Sequence, residues 1–207
     1  DYYEFNATEG QRISAEVEAI RLSGPLFDPY LAILDENFFE LASSDDSELL
    51  LQDSTTSIIA PKTGKYFIEM RESSYRGSNS YRYRLHIGSF PRPRVVVPPG
   101  GQAGKSVDFT FLGDPKGPFK KTITLPDDGS DTLAYHPEEN GLFAPSPNNI
   151  KISNFPSIQE VEPNNGIKEA TKTHFSIPLG FNGVIEKEGD IDCFRFQAKK
   201  GDRYYIK

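Results

Sequence analysis

The stretch that decides the fold is residues 158–207, IQEVEPNNGIKEATKTHFSIPLGFNGVIEKEGDIDCFRFQAKKGDRYYIK, whose end repeats the beginning of the chain. Residues 1–13, DYYEFNATEGQRI, align without a gap with residues 192–204, DCFRFQAKKGDRY. A period this long indicates tandem domains rather than a solenoid, whose repeats span about 20–50 residues. We therefore expect the chain to begin in the middle of one module and to end in the opening part of a second copy. The identical pairs are Asp1 with Asp192, Phe5 with Phe196, Ala7 with Ala198, Gly10 with Gly201 and Arg12 with Arg203.

Composition narrows the classes of protein. The chain has 207 residues, of which 36% are hydrophobic, and a formal net charge of −7. This length allows one or two domains, and the hydrophobic share is enough for thin cores. The acidic balance argues against nucleic acid, whose binding requires a basic surface, and no apolar run is long enough to span a membrane. The single cysteine, Cys193, excludes an internal disulfide framework.

Residues 1–90 have the pattern of short strands separated by turns. In TGKYFIEMRES (63–73), for example, Tyr66, Ile68 and Met70 alternate with polar residues and Phe67, which predicts a strand with one buried face. Similar segments recur at the spacing typical of a β-sandwich. The proline-rich segment FPRPRVVVPPGG (90–101) then predicts a domain boundary.

Residues 91–156 predict a small immunoglobulin-like β-sandwich, and residues 157–207 lead into the second copy of the first module. The predicted domains are thus 1–90, 91–156 and 157–207. The expected apolar core positions of the middle domain are Val107, Phe109, Phe111, Ile123 and Leu125.

The strings EVEPNN (160–165) and GVIEKEGDIDCFRFQAKKGD (183–202) resemble the opening of the bacterial pre-peptidase C-terminal (PPC) domain. DPYLAILDENFFELASSDDS (28–47) and TGKYFIEMRESSYRGSNSYRYRLHI (63–87) resemble its middle and last strands. PPGGQAGKSVDFTFLGDP (98–115) resembles a domain that separates such modules in exported multidomain proteins of planctomycete type. The resemblance implies an all-β chain of tandem β-sandwiches: a jelly-roll-like PPC module without its opening strands, the immunoglobulin-like domain and a partial second PPC module.

The resemblance also implies a calcium site, because the related collagen-binding domains of clostridial collagenases bind Ca²⁺ at their opening segment. Ca²⁺ takes six to eight oxygen ligands, and Glu-x-Glu places two carboxylates on one side of an extended segment. The alternative is that Asn164 and Asn165 only cap a turn and that Gly189-Asp190 only forms a hairpin turn. The implied ligands are Glu160, Glu162, Asn164, Asn165, Asp190 and Asp192. A second and less complete acidic set is Asp45, Asp46 and Asp53.

No catalytic motif accompanies this set: His86, His136 and His174 are scattered, without a nucleophile elbow or a zinc-binding histidine pair. We predict a non-catalytic accessory or binding segment of a large secreted, periplasmic or cell-surface bacterial protein. Its expected partners are other domains of that protein and an extracellular protein or polysaccharide. The alternative is a structural surface or filament subunit, since residues 158–191 encode strands that 1–90 lack and one copy could donate them to another.

Overall fold

The computed structural model describes residues 1–22 and 27–206, and nearly all of their regular structure is β-strand. Two short 3₁₀ turns, Ile20–Leu22 and Glu48–Leu50, are the helical elements of this part of the chain. None of its helices is long and apolar enough to cross a membrane. The strands are β1 Tyr2–Ala7, β2 Arg12–Glu18, β3 Pro29–Leu34, β4 Glu40–Ser44, β5 Thr55–Ile59, β6 Gly64–Glu72, β7 Arg84–Gly88, β8 Val95–Val97, β9 Gly100–Gln102, β10 Ser106–Leu112, β11 Phe119–Thr124, β12 Thr132–Tyr135, β13 Glu138–Glu139, β14 Leu142–Phe143, β15 Asn148–Ser153, β16 Ser157–Gln159, β17 Thr171–Lys172, β18 Gly180–Asn182 and β19 Phe194–Arg195.

The described residues form two compact units. Unit 1 comprises Asp1–Val96, Phe111–Phe119 and Ala134–Asn148. Unit 2 comprises Val97–Thr110, Lys120–Leu133 and the described residues from Asn149 onward. The domain boundaries drawn from the sequence, near residues 90 and 156, stay a prediction.

Unit 1 contains a β-sandwich. Its first sheet has the order β1-β6-β3-β4 and its second the order β5-β2-β7, and every pair of neighbours is antiparallel. As predicted, the alternation in β6 buries Tyr66, Ile68 and Met70, and β2 contributes Ile13 and Val17 to the same core. The apolar faces of the two sheets therefore form one hydrophobic core.

Strand β2 is buried on both faces, which alternation alone does not predict. Its polar residues Arg12, Ser14 and Glu16 are 0–3% exposed. Arg12 pairs with Asp114 at 3.0 Å and Glu16 with Arg92 at 2.9 Å. Charged side chains are buried in this way when they find opposite charges and hydrogen bonds.

Residues 95–153 form two three-stranded sheets, ordered β11-β10-β8 and β12-β15-β9, and the β13-β14 hairpin. Phe109, Phe111 and Leu125 are buried as predicted, while Val107 and Ile123 are half-buried. Two short parallel pairs follow, β16 with β18 and β17 with β19. The predicted all-β class with tandem β-sandwiches is confirmed.

Candidate metal site

Three carboxylates from two segments of unit 2 come together: those of Glu160 and Glu162 from one segment and that of Asp192 from the other. One oxygen of each lies within 4.8 Å of the others. Glu160 directly follows β16, which pairs with β18 and continues that ladder through the Glu160 N–H, 2.9 Å from Asn182 O. Asp192 comes two residues before β19. The ends of two short strand pairs thus bring Glu160 and Asp192, which lie far apart in sequence, close together in space.

Asn164 lies against this triad and is completely buried, with an exposed fraction of 0%. Its Nδ2 donates to Glu160 Oε2 and to Thr171 Oγ1, both at 3.4 Å, while its Oδ1 has no hydrogen-bond partner among the described residues. Asp192 Oδ1 is a second buried oxygen without such a partner. Buried polar atoms are nearly always hydrogen-bonded, so these two oxygens are available to a further donor or to a cation beside the three carboxylates.

Gly183 lies directly against two of these carboxylates, those of Asp192 and Glu160. A Cβ built on it would clash with Asp192 Oδ2 and lie 2.9 Å from Glu160 Oε2. Glu160 Oε1 also accepts the backbone N–H of Val184, the residue after Gly183. The absence of a side chain at position 183 therefore gives the two acids the space in which they converge.

The electrostatic environment of Glu160 disfavours the ionised form of its carboxyl. Partial burial raises the pKa of the Glu160 carboxyl, and the adjacent Asp192 carboxylate raises it further, against the Val184 N–H, which lowers it. Two ionised carboxylates this close repel each other, and a proton or a cation between them removes this repulsion. Because every donor is an oxygen, the set fits Ca²⁺ better than Zn²⁺, which prefers nitrogen and sulfur.

The structure places the other two predicted ligands, Asn165 and Asp190, outside the triad. Asn165 Oδ1 accepts the Ile191 N–H at 3.0 Å, and Asp190 Oδ2 accepts the Glu186 N–H at 2.8 Å. Gly189 has φ +80°, as the turn alternative requires. Asp190 thus serves a local turn, whereas Asn165 joins two chain segments that are 26 residues apart.

The second acidic set is dispersed. Asp45 and Asp46 are exposed in the loop after β4. Asp53 is fully buried, where its carboxylate accepts the backbone N–H groups of Ala19 and Ile20 at 3.0 and 2.8 Å and pairs with Arg21 Nε at 2.6 Å. Asp53 therefore caps the Ile20–Leu22 turn and stabilises unit 1.

Sequence reasoning missed a network of buried charges in unit 1. Asp114 receives the Arg92 N–H at 2.8 Å in addition to the Arg12 side chain, and Arg12 also contacts Glu139 Oε2 at 2.8 Å. Arg12 lies 102 residues from Asp114 and 127 residues from Glu139 in sequence, so no spacing rule identifies these partners. The network comprises Arg12, Glu16, Arg21, Asp53, Arg92, Asp114, Lys116, Glu139 and Ser146.

No protein-family model and no curated protein matches the chain. The resemblance to the pre-peptidase C-terminal family therefore stays a prediction based on the motifs quoted above.

Proposed function

We propose that the chain is a non-catalytic accessory segment of a larger secreted, periplasmic or cell-surface bacterial protein, and that Ca²⁺ orders its 157–207 region. The motifs of the pre-peptidase C-terminal family support the accessory role. Two of the histidines already have partners in the fold. His86 Nε2 lies 3.2 Å from Glu18 Oε1, and His136 Nδ1 lies 2.9 Å from Ala144 O.

One observation carries the calcium proposal: three carboxylates converge, and Glu160 and Glu162 of this set contact the fully buried Asn164, whose amide oxygen lacks a partner. Glu160, Glu162 and Asp192 would hold the ion, and a half-turn of the Asn164 amide would offer Oδ1 as a further ligand. Bound Ca²⁺ supplies positive charge that offsets the repulsion among the carboxylates. The ion would also link the chain around residue 160 to the chain around residue 192, which lie beside different strand pairs, β16-β18 and β17-β19.

The experiment is a thermal melt with added Ca²⁺ or with EGTA. Ca²⁺ at a hundredfold excess over Kd should stabilise unit 2 by about 2.7 kcal/mol, because it binds only the folded state. Gly183→Ala is the sharpest variant, since it removes no ligand but moves the flexible ends of Asp192 and Glu160 apart. We expect the variant to keep its melting temperature in EGTA and to lose the calcium shift.

Asp190→Ala is the matched control, because it removes a nearby carboxylate that serves a turn. It should retain the calcium shift even if its melting temperature falls. Wild-type protein that melts identically in Ca²⁺ and EGTA would contradict the calcium proposal. The triad would then be a set of turn and surface acids, and the accessory role would have to be judged by binding.

Assembly by strand donation is a second candidate, favoured by the equivalence of β1 and β19. In β19, Phe194 and Arg195 pair in parallel with Thr171 and Lys172, and the Phe194 ring lies 4.9 Å from that of Phe181. The equivalent β1 is an edge strand of its sheet, paired with β6 on one side among the described residues.

A second copy could supply its 171–182 segment to the edge of β1, with Thr171 opposite Tyr3. Light scattering over a wide concentration range measures the assembly directly. A mixture of Tyr3→Cys and Thr171→Cys chains, each also carrying Cys193→Ser, should form an intermolecular disulfide if this register exists. A monomer at every concentration, without crosslinking, would rule the candidate out.

A further inference from the structure

Two exposed aromatic residues adopt a backbone conformation that their side chains disfavour. Phe38 has φ 64° and is 58% exposed, and Tyr75 has φ 60° and is 78% exposed. Glycine or asparagine normally occupies this left-handed region in turns, because a Cβ crowds the neighbouring carbonyl. Strained residues of this kind cluster at functional sites. Both turns thus carry a large ring that the core does not require.

Each ring is also held in a fixed orientation by a second group. The Phe38 ring stacks on Phe67 with centroids 4.6 Å apart, and Tyr2 meets its edge at 6.1 Å. The Tyr75 ring lies 4.2 Å from the Arg71 guanidinium, whose other neighbour is the Tyr30 ring at 3.6 Å. Rings stacked in this way are rigid platforms rather than mobile side chains.

The two platforms lie on the same outer face of the four-stranded sheet. Phe67 and Arg71 belong to the outward set of β6, alternating with buried Tyr66, Ile68 and Met70. Arg71 is four positions after Phe67 in β6, so the two residues are about 13 Å apart along the strand.

Charged side chains cover the sheet between the platforms. Ala32 pairs with Glu69 in the middle of the face and is fully buried, while the Glu69 and Arg71 side chains around it are 19% and 20% exposed. Glu69 contacts Arg71 Nε at 3.2 Å, and Glu4 pairs with Phe67 from the β1 side. Arg71 and Tyr75 also line part of a cavity of about 430 Å³, whose wall includes the core residues Phe27 and Met70. Rings at two ends with hydrogen-bonding groups between them suit a long, narrow ligand.

We propose that this face binds a neutral linear polysaccharide. A pyranose ring has an apolar C–H face that stacks on an aromatic ring and a rim of hydroxyl groups that donate to carboxylates and accept from guanidinium. The net charge of −7 and the carboxylates of Glu4 and Glu69 disfavour nucleic acids and acidic glycans. The proposal rests on the accessory binding role but not on the calcium site, because it uses only residues of unit 1.

The test is sedimentation of the chain with microcrystalline cellulose, chitin or insoluble xylan. Wild-type protein should bind at least one of them. The double variant Phe38→Gly/Tyr75→Gly should weaken that binding at least tenfold. Glycine adopts positive φ without strain, which offsets part of the ring contacts that are lost, so the variant should stay folded, as a thermal melt will show. Lost binding then reports the rings rather than unfolding.

Two controls complete the design. Phe38→Tyr keeps a ring at the same position and should keep the binding. Phe143→Ala removes a ring that is 63% exposed on β14, a strand of a different sheet, and should also leave binding unchanged.

The same assay with gelatin and with alginate tests a protein and an acidic polysaccharide. The inference would be contradicted if the wild type bound only these two, or bound none of the three neutral polysaccharides. It would also be contradicted if the double-glycine variant bound as well as the wild type. Repeating the assay in EGTA separates the two proposals. Polysaccharide binding in a protein that shows no calcium shift would support this inference and contradict the calcium site. A calcium shift without polysaccharide binding would support the calcium site and contradict this inference.

Discussion

The two copies of the repeat share a turn but differ in what surrounds it. In the first copy, Gly10 has φ 79° and the Gln11 N–H donates to Thr8 O at 3.0 Å. In the second, Gly201 has φ 97° and the Asp202 N–H donates to Lys199 O at 3.2 Å. The turn is the same although most of its residues differ, so the conformation depends on the glycine and on little else.

The strands and the arginines around this turn differ. Strand β1 has six residues and pairs along β6, whereas β19 has two residues and pairs with β17. Arg12 is 3% exposed between Asp114 and Glu139, and its counterpart Arg203 is exposed. The repeated sequence therefore encodes the turn locally, whereas burial of the arginine depends on partners from elsewhere in the fold.

The largest expected difference between the copies is at this arginine. Arg12→Ala would leave the Asp114 carboxylate, whose side chain is 0% exposed, without its ionic partner. Breaking a buried pair costs about 3–5 kcal/mol, whereas Arg203→Ala on the surface should stay within about 0.5 kcal/mol. Denaturant unfolding followed by circular dichroism measures both. Similar small losses in the two variants would show that the Arg12 network is solvated in solution.

The sandwich could be predicted from the sequence, whereas the polar contacts in its first unit could not. Strand alternation identified Tyr66, Ile68 and Met70 of β6 because a period of two is a local property, and the same period places Ile13, Ala15 and Val17 on one face of β2. The burial of Arg12 and Glu16 on the opposite face depends on Arg92 and Asp114, and no pattern within β2 reveals these partners.

The candidate site was predictable in part for the same reason. The Glu-x-Glu motif and Asp192 supply the carboxylates that converge, and Asn164 of the predicted set lies against them. Asp190 has the same chemistry as Asp192, but the nearby Glu186 N–H engages it in a turn. Gly183 carries no ligand atom, so only the three-dimensional arrangement reveals its importance.

Asp1 and Asp192 are the aligned acidic residues of the two copies. Substituting Asp192 should change stability by an intermediate amount. Asp192 belongs to the triad, whereas the side chain of Asp1 accepts a hydrogen bond from Tyr83 Oη. Asp192→Asn should abolish the calcium stabilisation of about 2.7 kcal/mol at a hundredfold excess over Kd, and Asp1→Asn should preserve it. Calorimetric titration with Ca²⁺ measures the binding itself. Unchanged calcium affinity in Asp192→Asn would remove Asp192 from the ligand set.

The smallest expected effect is at the shared turn, and it should be equal in the two copies. Gly10→Ala and Gly201→Ala each place a Cβ at positive φ in open space, so strain is the main cost, about 1 kcal/mol in each. Global unfolding detects the loss at Gly10, whose N–H is bonded to Ala60 O in the core of unit 1. Hydrogen exchange of the Asp202 amide detects it at Gly201, where the surrounding chain is exposed. A cost several times larger at Gly10 than at Gly201 would mean that the partners of the first copy, and not only its glycine, determine the turn.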